Sequence, residues 1–149
     1  MSKLFLLLCL LQSAPVGEYE AATNRTFYVL RGKSATEPRR IAFAASHPGK
    51  DRAPIDAVTL SFEVKQHAVR TQSFTEWLSI QCANNAPTRR TLPINNSTMD
   101  AETLAISAQL KPDEARALLA CDAPRLTLAG IEVTPSKELL AQLRAVLTF

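Results

Sequence analysis

Apolar and polar residues alternate most strictly from Val58 to Lys65. Val58, Leu60, Phe62 and Val64 fall on one side, and Thr59, Ser61, Glu63 and Lys65 on the other. A period of two belongs to a strand with one buried and one wet face, so the pattern predicts a strand over 58–65. Phe74 to Cys82 repeats it, with Leu78, Ile80 and Cys82 opposite Trp77, Ser79 and Gln81, and Thr103 to Leu110 aligns Leu104, Ile106, Ala108 and Leu110. Thr26–Leu30, bounded by Gly32, and Arg40–Ala44 are further strand candidates, rich in β-branched and aromatic residues or pairing Ile41 with Phe43. Between Arg125 and Val133 the apolar phase shifts from Leu126 and Leu128 to Ile131 and Val133, and Gly130 at the shift predicts a bulge.

The period lengthens in two places. Pro112–Ala120 opens with a proline, which suits a first helical turn, and Asp113 and Glu114 complement the positive end of the helix dipole. From Pro135 to about Leu147, after Thr134 as an expected N-cap, Leu139, Leu140, Leu143, Val146 and Leu147 recur on one helical face. Were the strands at 103–110 and 125–133 neighbours in one sheet, their crossover should be right-handed. The expected fold class is α+β, a mainly antiparallel sheet of about five to seven strands with two helices in the C-terminal third. Residues 46–54 and 84–98 are polar and rich in turn formers, and read as loops.

The first residues follow a different logic. Met1-Ser2-Lys3 is positive, Leu4–Leu11 is unbroken and apolar, and residues 12–17 turn small and polar, the order of a secretory signal. Eight apolar residues fall short of the roughly 20 that span a bilayer, so no permanent membrane span is expected. Residues 1–22 therefore read as a signal peptide, with Ser13, Ala14, Ala21 and Ala22 as alternative cleavage positions, and residues 23–149 as one globular domain. The alanine-rich composition points to a bacterial source, and the signal-like start to a periplasmic or secreted location.

Export changes how the cysteines are read. Cys9 lies in the apolar run, leaving Cys82 and Cys121 as an even pair in an oxidising compartment, where one disulfide is expected.

The chain has 149 residues, 46% of them hydrophobic and 21% charged, which excludes a disordered tail and fits one domain. Its net charge of +3 conceals an uneven distribution. Residues 24–90 hold 11 Lys or Arg against 5 Asp or Glu, whereas residues 91–149 hold 5 against 7. A basic half suits another protein or an anionic envelope component as partner. Nucleic acid does not fit, because the cations lack interleaved aromatic residues. Lys50, Arg52, Arg89 and Arg90 are candidate charged contacts in the two loops. Trp77 is a candidate anchor if it faces outward, and core if both faces of the sheet are covered; core is the expectation.

Catalytic chemistry is sparse. His47 and His67 have no carboxylate at a metal-ligand spacing, and no nucleophile elbow or phosphate-binding glycine loop is present, so neither a metal nor a cofactor is expected. A cysteine nucleophile with His67 as base would need both thiols reduced after export. The sequence thus points to a small, exported, non-enzymatic binding protein of inhibitor, toxin-immunity or envelope-accessory type. A small secreted enzyme using His67, or a self-associating envelope protein, are the alternatives.

Overall fold

The computed structural model describes residues 15–35, 39–65, 73–83, 87–98, 102–128 and 130–148. The strict alternation at 57–65 becomes β4 (Ala57–Lys65), with Val58, Leu60, Phe62 and Val64 buried. Before it come β1 (Glu18–Glu20), β2 (Arg25–Lys33) and β3 (Arg40–Pro48), each paired antiparallel with the next. After it come β5 (Ser73–Gln81), β6 (Thr88–Thr98), β7 (Thr103–Leu110), α1 (Pro112–Ala120), β8 (Arg125–Leu128), β9 (Ile131–Val133) and α2 (Lys137–Leu147).

The fold class is α+β, a wholly antiparallel sheet with two helices near the C-terminus. Nine strands are found among the described residues, in the order β1-β2-β3-β4-β7-β6-β5-β8-β9. The excess over five to seven has three sources. Glu18–Glu20 is a three-residue edge strand with no buried residue, paired through its backbone and tied by the Tyr19 hydroxyl donating to Asn24 Oδ1 at 3.0 Å, so no apolar pattern marks it. The expected loop at 84–98 is mostly β6, paired with β5 from Thr88 to Asn95 and with β7 from Ile94 to Thr98. Both its neighbours are strands, and that context overrides the turn-forming composition. The expected bulge at Gly130 is instead the tight turn between β8 and β9, with Leu128 opposite Ile131 and φ 73° at Gly130. A reversal shifts the apolar phase just as a bulge does.

The expected loop at 46–54 begins later, since β3 runs through His47 and Pro48. The strands at 103–110 and 125–133 are not neighbours; β6 and β5 separate them, and α1 carries the chain across. α2 starts two residues later than expected because Ser136, not Thr134, is its N-cap and accepts from the Leu139 N–H at 3.3 Å. Thr134 is engaged elsewhere: its carbonyl accepts from the Ala35 N–H at 2.7 Å, next to an antiparallel bridge between Ser34 and Pro135.

That bridge brings the two sides of the curved sheet together, and Leu139 of α2 settles on Gly32 beside it. A Cβ at Gly32 would lie 3.0 Å from the Leu139 Cβ, closer than ordinary packing, so a larger residue there would have to push the helix back by a few tenths of an ångström. One apolar cluster fills the inner face, built across the strands in rows such as Phe43–Leu60–Ala108–Ile94 and closed by Ala115, Leu118, Leu139, Leu143 and Val146 of the helices. Outward positions on β3, β4 and β7 are small or polar. The sheet therefore has one buried and one open face, which decides what it can present to a partner.

Candidate functional site

Cys82, just past β5, and Cys121, just past α1, form a disulfide with Cα atoms 5.3 Å apart. The strand puts Cys82 at the end of the Leu78–Ile80 face, and Cys121 caps the helix with its N–H donating to the Leu118 carbonyl at 3.2 Å. The bond ties α1 to the sheet. Among the described residues no group of three or more His, Cys, Asp or Glu could hold a metal ion, and no helix is long and apolar enough to cross a membrane.

The adjacent arginines Arg89 and Arg90 part company because side chains alternate along β6. Arg90 lies opposite Leu78 and is turned toward α1. Its Nε and Nη2 donate to the two Glu114 carboxylate oxygens at 2.5 and 2.8 Å, and Nη2 also donates to the Gln109 carbonyl at 3.1 Å. Glu114 in turn accepts from the Lys111 N–H at 2.9 Å, which closes the first turn of α1. Burial by itself would raise the Glu114 carboxyl pKa; the Arg90 hydrogen bonds, the Lys111 N–H and both positive charges outweigh it and hold the pKa below the usual carboxylate range. The Glu114 hydrogen bond correspondingly raises Arg90, against the opposing effect of burial. Arg90 is thus a clamp between sheet and helix, and the same geometry gives Glu114 a structural role.

Arg89 has the opposite orientation. It stands exposed across from Ser79, while Trp77 stands across from Thr91, so Arg89 and Trp77 are diagonal neighbours on the outward face. Such neighbours are about 7–8 Å apart, within reach of long and aromatic side chains. Trp77 is 58% exposed, which corrects the expectation of a core tryptophan. Among the described residues, the helix–strand packing is that of α2 on β2 and of α1 on β4.

Lys50 and Arg52 are exposed in the turn between β3 and β4, where Gly49 adopts φ 78° and its carbonyl accepts from Thr26 Oγ1 at 2.8 Å. The register places this turn at the end of the sheet where β7 finishes and β6 begins. Lys50 and Arg52 thus share an end of the molecule with Arg89 but are separated from it by β4 and β7. A cleft of about 270 Å³ lies between, lined among others by Asp56, Arg90, Pro93, Gln109 and Lys111. Asp56 at its side forms an ion pair with Arg25.

Of the five candidate contacts, the structure brings Trp77 and Arg89 together, leaves Lys50 and Arg52 apart at the same end, and turns Arg90 inward. His67 lies outside the described residues. His47 is 1% exposed, with Nδ1 3.0 Å from the Pro48 carbonyl and its ring against Tyr28. A second basic group, Arg31, Lys33 and Arg40, was not singled out from the sequence. Its signal was present: extending the alternation of β2 past Gly32 sets Arg31 and Lys33 on one outward row. Comparison with protein-family models, curated proteins and solved structures finds no match to this chain.

Proposed function

We propose that the chain is a small exported binding protein that acts by surface complementarity, with Trp77 as anchor and Arg89 beside it. The observation that carries this reading is the exposure of Trp77, at 58%, next to Arg89 on the outward side of β5 and β6. Tryptophan and arginine are the residues that most often dominate binding energy at protein interfaces, and here they are neighbours.

The disulfide supports an oxidising compartment for the folded chain, and the positive, apolar, polar order of residues 1–17 supports a cleaved leader. Cleavage near Ser13 or Ala14 fits the fold better than cleavage near Ala21 or Ala22. The later cut would remove β1 and Gly17, whose absent Cβ makes room for the Tyr28 ring. The intact mass of the mature protein reads this directly: an N-terminus upstream of Gly17 agrees, and one after Ala21 contradicts it.

The functional test is affinity capture from the envelope and secreted fractions of the source cell, using the wild type, Trp77→Ala and Arg89→Ala side by side. A partner held by the wild type and lost with Trp77→Ala, while the variant keeps its melting temperature, supports the reading. A partner retained equally by all three overturns it.

A further inference from the structure

We infer that the outward face of β2–β4 around Arg31, Lys33 and Arg40 is a docking surface for an extended, acidic segment of a partner protein. The register sets Lys33 directly opposite Arg40, and Arg31 opposite Ala42. Like charges directly opposite one another destabilise an antiparallel pair. Among the described residues, Glu63 offers compensation, its carboxylate 3.7 Å from Arg40. Beside the cations is a depression of about 300 Å³, floored by Ala42, Ser61 and Ala105 and walled by Arg31, Arg40 and Glu63. Small side chains on three adjacent strands make the floor, and long ones make the rim.

The spacing selects the occupant. Outward residues two apart on a strand repeat every ~6.5–7 Å, so Arg31 and Lys33 match carboxylates at alternate positions of an extended peptide. The carbon-walled depression admits an intervening side chain. A lipid surface is a poorer fit, since it calls for a continuous protruding apolar face, and next to these cations Val29 is the one large exposed apolar side chain among the described residues of β2–β4. This surface is three strands removed from Trp77 and goes beyond the reading built on it.

The test uses the disulfide-intact mature chain and a fluorescently labelled peptide of alternating Glu and Thr, read by anisotropy at low and moderate salt. The triple variant Arg31→Gln, Lys33→Gln, Arg40→Gln should weaken binding about tenfold or more. The triple variant Lys50→Gln, Arg52→Gln, Arg89→Gln removes equal charge and should change it by less than about twofold, as should Trp77→Ala. Ala42→Glu, which sets a carboxylate on the floor, should also weaken it and serves as an independent variant should the first triple fold poorly. Equal weakening by both triples would mean that net charge alone is being read, and would overturn the proposal. So would absence of peptide binding, or displacement of the peptide by a heparin fragment or phosphatidylglycerol vesicles at lower concentration. Because Trp77→Ala enters as a control, failure here is separate from failure of the Trp77 site.

Discussion

The two sides of the sheet are held by different means. From β1 to β4 each strand pairs with its neighbour in sequence, and β2 and β3 share an unbroken nine-residue register. From β5 onward the strand order departs from the chain order, and the two helices of this half reach back across the inner face to β2 and β4. That half holds the covalent tie, the Cys82–Cys121 disulfide, with the Arg90–Glu114 clamp and Arg144 of α2 donating to the Leu119 carbonyl of α1 at 3.0 Å. The first side is tied by side chains without a covalent link among the described residues, Arg25 to Asp56 and Ser46 and Arg40 to Glu63. Local connectivity makes the first side inexpensive to close, while the second closes longer loops and needs fixed tethers.

The comparison can be broken most severely by reducing the disulfide. Cys82→Ser with Cys121→Ser should cost up to about 4 kcal/mol by the loop-closure estimate. Hydrogen exchange should show the loss first in α1, β5 and β8, with β2–β4 protected longest; uniform loss would mean the two sides are not distinct. Gly32→Val should come next, at about 1–3 kcal/mol, because it forces α2 off β2. Chemical denaturation measures it, and an unchanged midpoint would mean that α2 does not need the close approach.

Arg90→Ala should cost about 2 kcal/mol, since it strands a partly buried carboxylate and loosens the first turn of α1. The pH dependence follows from the same pair. With its folded pKa lowered, Glu114 contributes stability that is fully present above the ordinary carboxylate range and lost as the pH falls through the folded value. The melting temperature of the wild type should therefore drop more steeply below about pH 4 than that of Glu114→Gln. The smallest effect belongs to Arg31→Gln, which should shift stability by no more than about 0.5 kcal/mol, slightly upward where it relieves repulsion with Lys33 and Arg40.

What could be read from the sequence was whatever a single face dictates. β4, β7 and α1 follow their apolar periods closely, because burial of one face acts on each residue separately. β6 was hidden because its strand character comes from pairing on both sides rather than from its own composition. The hairpin at Gly130 was mistaken for a bulge because both shift the apolar phase, and only the pairing partner tells them apart. The N-cap of α2 was misplaced at Thr134 because the Ser34–Pro135 bridge, a contact between residues 101 apart, extends the backbone past it. In the candidate site the residue types were legible and the directions were not. Arg89 and Arg90 are indistinguishable as loop residues and opposite in role once β6 alternates them. Trp77 was placed outward by its own alternation, but whether anything covers that face depends on where the helices go.

The central claim, that the outward face around Trp77 is a binding surface, can be tested directly because the chain has a single tryptophan. Acrylamide quenching of its fluorescence should be measured on the disulfide-intact protein alone and then with the envelope fraction of the source cell. The account predicts a solvent-like emission that is readily quenched in the free protein and becomes protected when the partner binds. A blue-shifted, poorly quenched signal in the free protein, or an exposed one that no envelope component protects, would contradict it.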